Sequence, residues 1–172
     1  MRKLLLALFI LFSASACQSA AQKQSAINLQ RYNAYYNAIL NNEKFQNSSD
    51  YYYISTIMNK LSDTEYRYDV IVDNPRIAMY HVEILVIENN KSLEVSDLVM
   101  PSVGIFETKE YNMVPFQINL KSGFTEGFGL SGTVKTPTTN LKVLVLWYDY
   151  AKVTQKREYF DLVARYSDQV KK

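Results

Sequence analysis

The sequence predicts a mainly-β domain: an antiparallel sandwich of about seven or eight strands, preceded by one amphipathic helix. Two observations predict this class. Apolar residues follow a helical spacing up to about residue 44, and from residue 51 they alternate with polar residues. Short alternating segments then recur roughly every 10–20 residues with no helical pattern between them, which favours an antiparallel sheet over alternating strands and helices.

The first sixteen residues have the order of an export signal. Arg2 and Lys3 form a basic start, residues 4–12 are all apolar, and residues 13–16 are small. A helix that spans a membrane needs about 20 apolar residues, so this segment is too short to remain as one. The sequence therefore predicts a cleaved signal peptide over residues 1–16.

The only cysteine of the chain directly follows this segment. The tetrapeptide Ala14-Ser15-Ala16-Cys17 resembles the lipobox of bacterial lipoprotein signals, although Ala14 stands where Leu is usual. The resemblance implies cleavage between Ala16 and Cys17, a thioether-linked diacylglycerol on Cys17, and an extracytoplasmic domain anchored to the cell membrane or the outer membrane. Plain secretion, with Cys17 left as a free thiol, is the alternative.

A helix is predicted between the anchor and the sandwich. Residues 17–25 are polar and small, which is typical of a short tether. Residues 26–44 carry apolar side chains at helical spacing, and Ser25 is a candidate N-cap. The side chains expected to pack against the domain are Leu29, Tyr32, Tyr36, Ile39 and Leu40.

The sandwich is predicted over residues 51–166. Tyr66, Tyr68, Val70 and Val72 are expected on one face of their strand, and Tyr80, Val82, Ile84 and Val86 are expected to point inward. Pro115 removes a backbone donor and places its strand at a sheet edge, whereas the most apolar strand is expected to be central. The predicted strands are residues 51–59, 65–73, 78–88, 104–107, 111–120, 123–135, 141–150 and 155–166.

The last third of the chain resembles a known sandwich type. Between Gly132 and Leu162, an apolar strand ends in Trp147-Tyr148-Asp149 and is followed by a turn and a final strand. This order resembles the immunoglobulin-like modules of bacterial cell-surface lipoproteins. The cysteine pair of antibody domains is missing, and Trp147 lies late in the chain. The resemblance therefore implies an immunoglobulin-like architecture and transfers no functional residues.

Charge and cysteine content exclude several classes of function. The chain has 19 basic and 17 acidic residues, and Arg2 and Lys3 belong to the predicted signal, so 17 of each remain in the mature chain. A neutral domain has no electrostatic drive toward nucleic acid. A single cysteine forms no internal disulfide and builds no thiolate metal site alone. We expect no cofactor and no metal.

Two patterns resemble functional sites. Residues 127–132 match the G-x-G-x-x-G pattern of dinucleotide-binding loops, but β-prone residues follow where a helix should begin, which favours a strand with close backbone contacts. His81 is the only histidine and is expected beside Glu83, as a solvated or sheet-packed side chain. Carboxylates are plentiful, but their spacing selects no catalytic pair.

These observations bear on three hypotheses about function. The favoured hypothesis is a non-enzymatic lipoprotein with a binding or envelope-structural role, attached to the membrane through Cys17 and open to a protein or glycan partner at the cell surface. The alternative is an exported hydrolase or carbohydrate-binding protein that uses surface tyrosines and carboxylates, since the chain has 14 tyrosines. A transporter's ligand-binding component is disfavoured because the chain lacks two α/β lobes.

Overall fold

A computed structural model describes residues 20–93 and 100–167 of the protein. Within these ranges the chain forms one α-helix, seven strands and one short 3-10 helix, which confirms the mainly-β class. In chain order the elements are α1 (Ala20–Leu40), β1 (Tyr53–Ser62), β2 (Glu65–Asp73), β3 (Tyr80–Glu88), β4 (Ser102–Val103), the 3-10 helix (Leu120–Ser122), β5 (Gly127–Val134), β6 (Thr138–Tyr148) and β7 (Gln155–Arg165).

The strands form two antiparallel sheets that pack as a sandwich. One sheet has the order β1-β2-β5, and the other has the order β4-β3-β6-β7. Strand β6 is hydrogen-bonded on both sides, to β3 and to β7, so the central position predicted from its apolar sequence is confirmed. A strand with neighbours on both edges and layers on both faces has little contact with water, which is why it is so apolar.

The main core lies between the two sheets. Alternate residues of β2 and β3 enter it, as the period-two pattern predicts. At the end of β6, Trp147 packs edge-to-face against Tyr52, with ring centroids 5.7 Å apart. The inward-facing residues of β2 and β3 are Tyr68, Val70, Val72, Val82, Ile84 and Val86.

A second core lies on the other face of the four-stranded sheet, where α1 packs across β3 and β6. The helix contributes mainly tyrosine rings, and the sheet contributes leucine and isoleucine side chains. Because α1 covers this face, β3 is buried on both sides from Val82 to Glu88. The residues in this contact are Tyr32, Tyr35, Tyr36, Ile39, Leu85, Ile87, Leu144 and Leu146.

The helix differs in its limits and in its buried face from the sequence prediction. It begins at Ala20, so residues 20–25 of the predicted tether are helical and Ser25 lies inside the helix. The segment lacks Gly and Pro and is rich in good helix formers, which explains the early start. Leu29 is 51% exposed, so its predicted packing is wrong; Asn28 is buried instead, because its Nδ2 donates to the carbonyl of Phe106.

The edge strand predicted over residues 111–120 is wrong. This segment makes isolated bridges and a turn, because Pro115 has no backbone donor and Phe116 has a φ of 63°. The short strand predicted over 104–107 is wrong: the strand in this part of the chain is Ser102–Val103, and Gly104 follows it. Gly104 has a φ of 78°, and a Cβ there would lie 2.3 Å from the carbonyl oxygen of Val82.

The sandwich has two distinct ends. The loop end consists of the starts of β1, β3, β5 and β7, the ends of β2 and β6, and the loops 74–79, 104–126 and 149–154. The first half of α1 also lies there, since Asn28 contacts Phe106. The hairpin end carries the turns 63–64 and 135–137. The hydroxyl of Tyr36 donates to the carbonyl of Lys91 near that end.

Candidate functional site

The predicted lipidation and cleavage residues, Cys17 and Ala16, lie outside the described residues. The described chain begins at Ala20, three positions after Cys17, and enters the fold through the N-terminal half of α1. This half lies at the loop end.

A cleft at the loop end is lined mainly by polar and charged side chains. It consists of two adjoining cavities of about 340 and 430 Å³. Arg31, His81 and Glu83 line both of them and form the wall between them. The first cavity extends to the loop 104–111, and the second extends to the start of β7. The cleft lies between α1, the start of β3 and these segments.

Both carboxylate oxygens of Glu83 have partners in the cleft. Arg31 Nη1 lies 2.6 Å from one of its oxygens, and the hydroxyl of Tyr35 donates to the other at 2.6 Å. Burial and the neighbouring Glu83 carboxylate raise the pKa of Tyr35, so Tyr35 remains a protonated donor. Arg31 Nη2 also donates to the carbonyl of Ile105. Because both oxygens of Glu83 are paired, this carboxylate is held as a structural anion.

His81 lies at a bulge near the start of β3. Two residues, His81 and Val82, lie opposite Trp147 alone, and His81 has a φ of 50°. Its backbone N–H donates to the side chain of Asn112 at 3.1 Å. Its ring packs edge-on against Tyr148, and Nδ1 lies 3.3 Å from a carboxylate oxygen of Glu110.

The expected position of His81 beside Glu83 agrees with the structure, since both side chains line the cleft. The inward orientation expected for Tyr80 is not found. Tyr80 is half-buried and packs against Tyr150, with Lys152 over its ring at 5.2 Å. The bulge breaks the alternation between Tyr80 and Val82, so the pattern holds only from Val82 onward.

Two further carboxylates are buried, and each has a donor. Glu88 accepts a hydrogen bond from the hydroxyl of Tyr68 at 2.8 Å and lies 2.6 Å from Lys91 Nζ. Glu158 accepts from the hydroxyl of Ser49 at 2.7 Å. Buried polar groups with partners stabilise a unique packing arrangement. These two acids therefore have a structural explanation, as Glu83 does.

Several tyrosine hydroxyls have partners inside the domain. The hydroxyls of Tyr35 and Tyr68 donate to buried carboxylates. The hydroxyl of Tyr32 accepts from the backbone N–H of Met100 at 2.9 Å. Burial, followed by the charge of Glu158, raises the pKa of Tyr52. Part of the tyrosine excess therefore serves the interior.

The glycine pattern at 127–132 belongs to strand β5, as expected. A Cβ at Gly127 would lie 2.7 Å from the carbonyl oxygen of Val72, and a Cβ at Gly132 would lie 2.3 Å from the hydroxyl oxygen of Tyr68. Gly129 faces open space. Two of the three glycines therefore allow close approach of β2, and the hexapeptide forms no nucleotide-binding turn.

Arg31 and Tyr35 were not recognised as site residues from the sequence. They are four positions apart in a helix and therefore share one face. This spacing was the signal in the sequence that could have indicated a joint site. Their partner Glu83 is about 50 residues away in the chain, and only the packing of α1 on β3 brings them together.

Residues 20–93 and 100–167 contain no group of three or more His, Cys, Asp or Glu side chains that could hold a metal ion. In the same part of the chain, α1 lacks the length of apolar sequence that crossing a bilayer requires.

Comparison of the chain with protein-family models, with curated proteins and with solved structures found no match. The description that the geometry supports is a domain with two antiparallel sheets, of three and four strands, and one N-terminal helix packed on the larger sheet.

Proposed function

We propose that this protein is a bacterial lipoprotein: an extracytoplasmic, lipid-anchored domain with a non-enzymatic binding role. The observation that carries the proposal is the position of the only cysteine, Cys17, directly after a basic start, an apolar segment and three small residues. All residues from Ala20 to Ile27 are exposed, which leaves this end of α1 free to approach a membrane.

The mass of the intact protein extracted from membranes tests the anchor. We expect a chain that begins at Cys17 and carries the added mass of a diacylglycerol. The variant Cys17→Ser should lack this mass, whereas the control Ser19→Ala should retain it. A mature chain that begins elsewhere, or one that begins at Cys17 without added mass, would contradict the proposal.

We further propose that the cleft at the loop end is the binding site. Its shared lining places the ion pair of Arg31 and Glu83 and the ring nitrogens of His81 within one concave surface. Recognition sites combine concave shape with a few oriented polar groups. Glu83, the buried carboxylate of the cleft, has a partner on each oxygen. This favours binding over hydrolysis by Glu83, because a glycosidase needs two acids free to exchange protons across a cleft.

A carbohydrate ligand is the second candidate, favoured by aromatic and acidic side chains in the same cleft. Tyr111 and Glu110 line the first cavity, and Tyr148 lines the second. Saturation-transfer NMR with a panel of short oligosaccharides and tripeptides would distinguish the ligand classes. Binding should weaken in Tyr148→Ala and persist in Tyr150→Ala, because Tyr150 is 81% exposed and lies outside the cleft. If both variants keep the full signal, the cleft is excluded as the binding site. If cleavage products of the oligosaccharides appear, the protein is a hydrolase.

We infer that the sandwich is of immunoglobulin type. In that fold the first, second and fifth strands share one sheet, and the third, sixth and seventh share the other. The sheet orders β1-β2-β5 and β3-β6-β7 correspond to this division, with β4 paired to β3 instead of β5. The arrangement supports a scaffold that presents loops at its ends, and it does not by itself indicate a ligand.

A further inference from the structure

We propose that the loop end of the sandwich contacts the lipid bilayer directly, with Phe116 and neighbouring apolar side chains entering its interfacial layer. This inference rests on the proposed lipid anchor at Cys17 and adds a second attachment to it. A lipid anchor alone would let the domain rotate freely about its tether. Insertion of the loop end would instead fix the orientation of the domain and of its cleft relative to the membrane.

The distribution of exposed apolar side chains is the first observation. Among the described residues, nine large hydrophobic side chains are more than half exposed, and eight of them lie at the loop end. Leu61, in β1, lies at the hairpin end. Concentrated exposed apolar groups mark a surface that is covered by a partner or by lipid. The five contributed by the loops are Phe116, Ile118, Leu120, Tyr150 and Val153.

The backbone at Phe116 is the second observation. The N–H of Gln117 donates to the carbonyl of Val114 at 3.0 Å, which closes a turn with Pro115 and Phe116 at its centre. Phe116 has a φ of 63°, at a turn position that usually holds Gly or Asn. A bulky side chain there is strained. The ring is nevertheless fully exposed, so burial of the ring within the domain does not offset the strain.

The chain that leads to the anchor identifies lipid as the occupant. Cys17 and Ala20 are three residues apart, which is at most about 11 Å of extended chain. The first eight residues of α1 add about 12 Å, and Asn28 then contacts Phe106 in the loop end. An acylated Cys17 would therefore hold the apolar loops within roughly 20–25 Å of the bilayer surface.

The charges of the loop end favour apolar insertion over electrostatic attraction. The three loops carry four basic and four acidic residues, so their charges balance. Lysines are nevertheless close to the exposed apolar groups: Lys109 Nζ donates to the carbonyl of Leu120, and Lys152 lies over the ring of Tyr80. Such side chains suit the lipid headgroup layer. Contact should therefore occur on neutral phosphatidylcholine without anionic lipid.

Tryptophan fluorescence in lipid vesicles tests the proposal. The membrane-extracted full-length lipoprotein would be reconstituted into phosphatidylcholine vesicles with or without bromine atoms on the acyl chains. The variants are Phe116→Trp and Tyr150→Trp, with Leu61→Trp as the matched control at the opposite end. Trp147 is buried, so the parent protein supplies a constant background.

We expect the Phe116→Trp and Tyr150→Trp variants to emit at shorter wavelength and to lose intensity in brominated vesicles, and Leu61→Trp to match the parent. If the intact mass confirms the acyl chains but neither loop variant is quenched, the inference fails while the lipid anchor stands. Equal quenching at all three positions would also overturn it, since it would show no preferred orientation. If the mass shows no acyl chains, the anchor and this inference fail together. Unchanged thermal midpoints in all variants would exclude unfolding as the cause.

Discussion

The buried pair of Tyr68 and Glu88 gives the sharpest prediction about stability. The Tyr68 hydroxyl donates to a Glu88 oxygen at 2.8 Å, and the carboxylate side chain is 7% exposed. Tyr68→Phe keeps the ring in the core and removes only this donor. A hydrogen bond to a charged group contributes about 1.5–3 kcal/mol. We therefore expect the variant to lower the free energy of unfolding by about 2 kcal/mol.

Urea unfolding followed by circular dichroism would measure the change. Tyr66→Phe is the matched control, because Tyr66 is two residues earlier on the same strand and half-buried, and it should change the free energy by less than about 0.5 kcal/mol. In a Glu88→Gln background, Tyr68→Phe should cost only about 1 kcal/mol, since a neutral acceptor forms the weaker bond. Equal costs in both backgrounds, or a cost no larger than that of the control, would refute the reasoning.

Two further predictions concern the interior. Burial is the main cause that raises the pKa values of Tyr35, Tyr52 and Tyr68 above that of a free phenol. Folding therefore favours the protonated form of each tyrosine. The free energy of unfolding should fall above about pH 10 by roughly 1.4 kcal/mol per pH unit for each of them. A urea midpoint that stays constant to pH 11 would contradict this. Gly132→Ala should destabilise the domain by about 1–3 kcal/mol, because its Cβ would lie 2.3 Å from the Tyr68 hydroxyl oxygen. Gly129→Ala, which meets open space, should be close to neutral, and equal thermal midpoints for the two variants would exclude the predicted clash.

The strands that alternate most strictly were predicted best. Residues 65–73 form β2 with the predicted limits, and Tyr68, Val70 and Val72 face the core. A strand with one face buried and one face in water carries this pattern in its own sequence. The same local signal showed that the glycine hexapeptide is a strand, because β-prone residues follow it.

The predictions failed where distant residues determine the local structure. Leu29 is exposed and Asn28 buried because the carbonyl of Phe106 offers Asn28 a partner. The segment 111–120 has the composition of a strand, but the turn at Phe116 and separate bridges to neighbouring loops prevent a continuous ladder. The local periodicity shows neither the carbonyl partner of Asn28 nor the loops that the segment 111–120 bridges.

The sequence by itself determined the mainly-β class, the strand positions in most of the sandwich and the central place of β6, whereas the signal over residues 1–16 stays a prediction. These properties follow from residue spacing over short segments, where period and polarity specify which faces are buried. The tertiary structure alone decided the sheet orders, the bulge at His81, the joining of Arg31 to Glu83 and the gathering of exposed apolar side chains at the loop end. Each of these depends on contacts between residues far apart in the chain, and local patterns do not specify which distant residue a side chain contacts.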